Sequence, residues 1–142
     1  MVIVTLSFDG VEDTHDYVRW PITWKNYAKN VKAYQDMQKQ FPLLRLNSWT
    51  TVSCLNVANL PNILDFTTEH NIDHDWAFLN TPNVFHVKHR NRFTEFAKNK
   101  LQSSSYAQCR KIADSVAVGK DNDKELIEHI NRQDTLREID YK

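Results

Sequence analysis

The sequence contains very little glycine and cysteine. Gly10 and Gly119 are the only glycines among 142 residues, whereas the dinucleotide-binding fingerprint needs three closely spaced glycines and a P-loop needs two. Both nucleotide-binding motifs are therefore excluded. Cys54 and Cys109 lie far apart in the sequence and supply neither a four-thiolate zinc site nor a three-cysteine iron–sulfur motif. Because there is no disulfide framework, we expect a reducing cytoplasm.

The sequence also lacks net charge and long apolar runs. The 18 Lys and Arg residues balance 18 Asp and Glu residues, which argues against tight binding to DNA or to an anionic membrane surface. No signal peptide opens the sequence, and no run approaches the roughly 20 apolar residues of a membrane span. The composition, 41% hydrophobic and 11% aromatic, is sufficient for a core, and the length predicts a single domain over 1–142.

Apolar patterns predict four strands. The β-branched segment Val2–Ser7 is typical of a buried strand with apolar side chains on both faces. Apolar residues at even spacing predict a second strand over 43–54. Two shorter apolar runs, over 76–79 and 84–87, predict further strands separated by turn residues.

Helical spacing of apolar residues predicts the helices that lie between and after the strands. Thr23 and Asn59 are suitable N-caps for the first two of them. The polar segment 11–20 is predicted to be a loop. The helices are predicted in five segments: 22–41, 60–71, 93–101, 106–116 and 126–130.

Single helices that connect successive strands predict an α/β fold with a parallel sheet. Right-handed crossovers place such helices on one face of a curved sheet if it is part of a barrel, and on both faces if the sheet is doubly wound. The element order alone does not separate these two architectures.

Polar residues follow the first two strands, where ligands bind in β/α folds. The carboxylate of Asp9 is suited to ribose hydroxyls and the guanidinium of Arg19 to a carboxylate, although Asp9-Gly10 is equally typical of a plain turn. Thr51 near the end of the second strand and Asn56 after it offer a hydroxyl and an amide, with helix capping as the alternative role of Asn56.

The residues around the first strand end resemble a known family. Ser7-x-Asp9-Gly10, then Tyr17-x-Arg19 and a helix led by Trp24, resemble the radical S-adenosylmethionine enzymes, in particular the phage-associated branch with a twitch domain. The similarity continues through segments 50–56 and 60–66 and covers about residues 1–101, followed by a helical tail over about 102–142. Segment 126–140 is similar to the closing helix of the family.

The resemblance implies a partial (β/α) barrel of parallel strands, of which this chain is the C-terminal half with C-terminal helices added. In the family, three cysteines near the first strand of the domain hold a 4Fe-4S cluster. Here the cluster would belong to a missing N-terminal half or a cluster-bearing partner protein, which would pair with the open edge of Val2–Ser7. The chain would be inactive alone, and it would lie in the host cytoplasm if it is phage-encoded.

The resemblance also assigns roles to single residues. Ser7 and Asp9, with the adjacent Gly10, would line the ribose side of S-adenosylmethionine, and Arg19 would approach its carboxylate. Thr51 and Asn56 would flank the adenosyl group. An adenosyl radical would abstract hydrogen from a substrate that the sequence does not identify. No catalytic residue and no metal ligand are assigned within this chain.

Two other classes of function remain open at this point. A non-catalytic α/β interaction domain would bind a partner through Trp20, Trp24 or Trp49. A metal-dependent enzyme would use His70 and His74, which lie in a short segment rich in His and Asp.

Overall fold

The computed structural model describes residues 1–119 and 121–139 and shows a mixed α/β fold. Its parallel sheet has three strands in the order β1-β2-β3, namely β1 (Val2–Ser7), β2 (Leu44–Val52) and β3 (Asp73–Phe78). Positions 120 and 140–142, including the end of the predicted helical tail, lie outside the described residues.

The described residues also form six α-helices and two short 3-10 helices. The 3-10 helices lie at Val57–Asn59 and Asn83–Phe85. The α-helices are α1 (Glu12–Val18), α2 (Trp24–Gln40), α3 (Leu60–Glu69), α4 (Arg92–Gln102), α5 (Ala107–Ala113) and α6 (Asp123–Ile139).

Helices α2 and α3 cover one face of the sheet. On β2 the side chains of Leu44, Leu46, Ser48, Thr50 and Val52 all point to this face and are buried. Leu46 and Val52 share a core cluster with residues of both helices. Since the strands follow one another in space, two crossovers of the same hand place both helices on the same face.

The opposite face of the sheet is largely uncovered. Trp49 is 38% exposed, and Arg45, Asp73 and Asp75 are also exposed. Parallel sheets in complete domains are normally covered on both faces, so this face differs from the usual arrangement.

Strand β1 forms one edge of the sheet. The amide of Val2 donates to the Leu43 carbonyl at 3.0 Å, and the amide of Phe8 donates to Trp49 at 3.1 Å. Because main-chain groups alternate in a parallel ladder, the amides of Ile3, Thr5 and Ser7 face the outer edge, where no described strand pairs with them.

The prediction that β1 is buried on both faces was wrong. Val2 and Ile3 are 61% and 57% exposed, and Leu6 is the buried residue of the strand. The expected open edge, in contrast, agrees with the strand order.

Segment 11–20 forms a helix, contrary to the predicted loop. Val11, His15 and Val18 recur at helical spacing, and His15 is buried at 1% exposure. The helical period was hidden because the residue in its middle is a histidine among acidic neighbours rather than an aliphatic residue.

The predicted strand over 84–87 is also wrong. Pro82 and Asn83 begin a 3-10 turn, in which the His86 amide donates to the Asn83 carbonyl at 2.9 Å. Val84 and Val87 are both buried but belong to different core clusters. The 3-10 helix Asn83–Phe85 occupies the first part of this run and Val87 lies beyond it, so the run does not form one extended strand.

The two predicted caps have different outcomes. The Thr23 hydroxyl accepts from the Asn26 amide and caps α2 as predicted. Asn59 precedes α3 but makes no side-chain cap. Its side-chain oxygen instead accepts from the Val11 amide at 2.8 Å and so fixes the start of α1.

Aromatic rings fill the space between β1, α2 and α3. Phe8 is fully buried and contacts Trp24, Tyr27 and Phe66 at ring-centroid distances of 5.6 to 6.2 Å. His15 joins this cluster, at 4.8 Å from the Tyr27 ring. None of the described helices is both long and apolar enough to span a bilayer.

His15 makes the stability of the fold depend on pH. Burial lowers the pKa of His15 from 6.5, although a main-chain hydrogen bond with Gly10 and the carboxylates of Asp16 and Asp9 oppose this shift. The unfolded chain therefore binds the proton more readily than the folded chain.

We predict that the free energy of unfolding falls as the pH decreases below about 6.5, and is fully retained above it. Urea unfolding at about pH 7.5 and about pH 5.5 measures this change. His15→Leu should reduce the pH dependence and leave the part that comes from His74 and His86, whose pKa values are also lowered by burial; an equal fall in the variant and the natural chain would contradict the role of His15.

Candidate functional site

A cavity of about 330 Å³ lies at the carboxyl ends of the strands. Asp9 follows β1, Thr51 lies near the end of β2 and Leu79 follows β3, and all three line it. Helices α1 and α6 supply the facing wall through Tyr17 and Gln133, among others. Parallel strands place their carboxyl ends at one edge of a sheet, which is why residues from three distant segments meet here.

Asp9 connects the first two strands at this edge. One carboxylate oxygen accepts from the Thr51 amide at 2.7 Å, and the other forms an ion pair with Arg19 Nε at 2.8 Å. The residue is 8% exposed. A buried carboxylate needs such partners, because desolvation without them is costly.

Arg19 lies at the end of α1 and reaches back to the same strand. Its guanidinium pairs with Asp9 and also donates to the Ser7 hydroxyl. These contacts join Ser7, Asp9 and Arg19 into one group. The resemblance had assigned each of the three to the cofactor site. Asp9 lines the cavity itself, while Ser7 and Arg19 adjoin it through Asp9.

Gly10 has a packing role at this edge. A Cβ atom at this position would come within 2.9 Å of the His15 main-chain nitrogen and closer still to the Thr14 side chain. Only glycine allows this close approach of the β1 end to α1.

Three polar residues near the end of β2 divide into two roles. Thr51 and Ser53 line the cavity. Asn56 is fully buried and is not part of the cavity wall. Its amide accepts from the Ser53 main chain at 2.8 Å and donates to the Thr51 carbonyl at 2.9 Å. Asn56 therefore shapes the segment that carries the two hydroxyls.

Helix α6 contributes residues that the sequence patterns did not assign to a site. His129, Gln133 and Arg137 all line the cavity and follow one another at intervals of four, which places them on one helical face. The four-residue interval is the sequence feature that could have identified these residues. The buried face of α6 was hard to recognise in the sequence because its apolar residues, such as Leu126 and Ile130, are few.

A polar contact fastens the last turns of α6 to α1. The Tyr17 hydroxyl donates to the Asp134 carboxylate at 3.1 Å, and the Arg137 guanidinium lies 4.7 Å from the centre of the Tyr17 ring. Burial and this hydrogen bond raise the pKa of Tyr17. Tyr17 therefore stays protonated and donates at neutral pH.

The interior of the cavity is mainly apolar. Val18, Leu55, Leu79, Phe85 and Ile130 provide this surface. An apolar cavity with a few convergent polar groups is the usual form of a small-molecule site.

His70 and His74 do not gather metal ligands. His70 Nδ1 lies 2.9 Å from the Phe66 carbonyl oxygen, and His74 Nδ1 lies 2.8 Å from the Ser48 hydroxyl. Over 1–119 and 121–139, no three His, Cys, Asp or Glu side chains form a group that could hold a metal ion.

The tryptophans suggested as a partner surface do not share one environment. Trp24 packs against the core beside Phe8 and Phe66. Trp20 and Trp49 are 37% and 38% exposed. Trp49 stands on the uncovered face of the sheet.

Comparisons with protein-family models, with curated proteins and with solved structures found no match to this chain.

The contacts of Asp9 give a testable prediction. Asp9→Ala removes both the acceptor for Thr51 and the partner of Arg19, so we expect it to lower the free energy of unfolding by about 2 kcal/mol. Asp9→Asn should cost about half as much, because the amide oxygen still accepts from Thr51. Urea unfolding at neutral pH measures both changes.

Asp36→Asn is the matched control, since Asp36 forms an exposed ion pair with Lys39 on α2. It should leave the unfolding midpoint unchanged. An Asp9→Ala variant as stable as this control would contradict the proposed role of Asp9 in joining the strands.

Proposed function

We propose that this chain is the C-terminal half of a radical S-adenosylmethionine-type barrel and contributes part of the cofactor cleft. The observation that carries the proposal is a parallel sheet with one covered face, one uncovered face and an open edge at β1. The sequential strand order, with α2 and α3 on the same face, favours a barrel wall over a doubly wound sheet.

In a barrel of this type the uncovered face would line the interior. On that face of β1 and β2, Thr5, Ser7, Asn47 and Thr51 are polar, and they stand beside Ile3, Arg45 and Trp49. The outer edge of β1 would accept a further strand through the main-chain groups of Ile3, Thr5 and Ser7. An N-terminal half would then close the fold.

The residues at the strand ends fit part of S-adenosylmethionine. Asp9 and Thr51 offer a carboxylate and a hydroxyl beside a cavity of about 330 Å³, and such groups suit ribose hydroxyls. Arg19 offers a planar guanidinium to a carboxylate. Its present partner Asp9 would share it, because the guanidinium has five donors.

The residues of this chain do not fit a 4Fe-4S cluster. Cysteine thiolates are the ligands of such clusters, and only Cys54 and Cys109 occur here. Both are buried, and burial raises the pKa of Cys54 to about 12. The cluster would belong to the N-terminal half or to a partner protein. Both thiols are free, and the reducing cytoplasm is proposed from the sequence alone.

Within the complete domain, this chain would orient the cofactor and shield it from water. In the family, S-adenosylmethionine supplies an adenosyl radical that abstracts hydrogen from a substrate. The wall formed by Tyr17, Phe85 and α6 would exclude water from the cofactor, while Asp9 and Arg19 would hold its polar groups.

The proposal predicts that the isolated chain binds S-adenosylhomocysteine, a stable analogue with the same adenosyl and amino-acid groups. Titration of the 15N-labelled chain, followed by NMR, should give saturable shifts at the amides of Asp9, Gly10 and Thr51. Arg19→Gln should weaken binding about tenfold, because a charge-assisted hydrogen bond to the carboxylate is lost.

Adenosine, which has no carboxylate, should bind the Arg19→Gln variant as well as the natural chain. Arg45→Gln is the matched control, since Arg45 lies at the opposite end of β2. An absence of saturable shifts at these amides, or equal losses in both arginine variants, would contradict the proposal. A stable chain that binds neither ligand would favour the interaction domain.

A further inference from the structure

We propose that a second cavity, between α1, α2 and α3, binds the guanidinium group of an arginine side chain on a partner protein. The cavity has a volume of about 290 Å³ and shares no lining residue with the cavity at the strand ends. The inference therefore goes beyond the proposed function and does not depend on it.

One wall of this second cavity is a single face of α3. The residues of α3 that line the cavity are Asn62, Asp65, Phe66 and Glu69. Their positions correspond to i, i+3, i+4 and i+7, which lie together on the surface of a helix. Phe66 is half-buried; it contacts Phe8 in the core and also borders the cavity.

Two aromatic rings provide the apolar part of the cavity. The ring centroids of Trp24 and Phe66 lie 4.8 Å apart, and their planes are inclined at 70°. Both side chains are half-buried, so part of each remains accessible. The faces of aromatic rings attract cations, tryptophan most strongly, and arginine occupies such positions more often than lysine.

Three carboxylates lie beside these rings. Glu12, Asp65 and Glu69 line the cavity and are exposed. Asp65 accepts from the Tyr106 hydroxyl through Oδ1 at 2.7 Å, which leaves Oδ2 for another donor. Over 1–119 and 121–139, the side chains of Glu12 and Glu69 form no ion pair or hydrogen bond.

A cation of the chain itself does not neutralise this group. Lys100 reaches the same rim, but its Nζ lies 3.5 Å from the side-chain oxygen of Asn62 and forms no ion pair with the carboxylates. Carboxylates that line one cavity repel one another, so a bound cation from outside the described residues relieves this repulsion.

The wall on α1 is fixed relative to α3 before a ligand binds. Asn59, directly before α3, accepts from the Val11 amide at 2.8 Å. Val11 is buried and borders the cavity, and Glu12 is the next residue. A site that is already assembled loses little conformational freedom on binding.

The combination of rings and carboxylates favours guanidinium over ammonium. A guanidinium group is planar and weakly hydrated, so it stacks on an aromatic ring and pairs with a carboxylate through two parallel hydrogen bonds. An ammonium group is compact and more strongly hydrated, and it makes no such paired contact.

The open form of the cavity favours a side chain over a free small molecule. Small-molecule sites bury roughly 70 to 90% of the ligand surface, whereas the carboxylates here are exposed and would enclose only the end of a ligand. An arginine on a protein surface presents such an end, and arginine is among the residues that contribute most to protein interfaces.

The test uses the peptide acetyl-Gly-Arg-Gly-amide and the 15N-labelled natural chain at low ionic strength. NMR titration should give saturable shifts at the amides of Glu12, Trp24 and Glu69. The peptide with citrulline, which has the shape of arginine without its charge, should bind at least about fivefold more weakly. The peptide with lysine should bind at least about twofold more weakly.

A double variant tests the carboxylates. Glu12→Gln combined with Glu69→Gln keeps the size of both side chains and should weaken binding of the arginine peptide about fivefold. Glu128→Gln, at an exposed position of α6 outside this cavity, is the matched control and should bind as the natural chain does. The dispersion of each spectrum verifies that the variant is folded.

Methylguanidine distinguishes a partner's arginine from a free small molecule. It carries the same charged group without the aliphatic stem, so it should bind at least about twofold more weakly than the arginine peptide. Tighter binding of methylguanidine would overturn the assignment to a partner protein.

The inference is also overturned if the arginine peptide gives no saturable shifts at the three amides, or if the folded double variant binds it as the natural chain does. Equal binding of the citrulline peptide would contradict a site for a cation. Equal binding of the lysine peptide would contradict the selection of guanidinium.

Discussion

Main-chain hydrogen bonds between three parallel strands determine where the polar side chains of this protein meet. Because β1, β2 and β3 run in the same direction, their carboxyl ends share one edge, and Asp9 and Thr51 are brought together there although 42 positions separate them. The carboxylate of Asp9 also forms an ion pair with Arg19, which lies at the end of α1. Helix α6 closes the same edge, so the cavity is a consequence of strand direction.

The same sheet supports the proposal that the chain is part of a larger fold. A parallel sheet gains most of its stability from helices packed on both faces or from closure into a barrel. Here α2 and α3 cover one face, and Trp49 stands exposed on the other. The outer edge of β1 has no described partner strand. An N-terminal half would add a strand to the outer edge of β1 and cover the exposed face of the sheet.

The sequence predicted the parallel sheet and its regular elements well, since apolar spacing reports directly on burial. It did not predict α1, whose buried position is the histidine His15, or the 3-10 turn around Val84. Within the site, Asp9 and Thr51 were predicted because Asp9 follows β1 and Thr51 lies near the end of β2. Gln133 was missed because it lies on a distant helix, and only tertiary packing places α6 over the strand ends.

The exchange rates of the β1 amides with solvent test the open edge most directly. Hydrogen exchange followed by NMR should show slow exchange at Val4, Leu6 and Phe8, which point toward β2, and fast exchange at Ile3 and the other outward amides. Comparable protection at all of these positions would mean that a strand already pairs with the outer edge. The outer edge of β1 would then not be available to the proposed N-terminal half, and the proposed function would be contradicted.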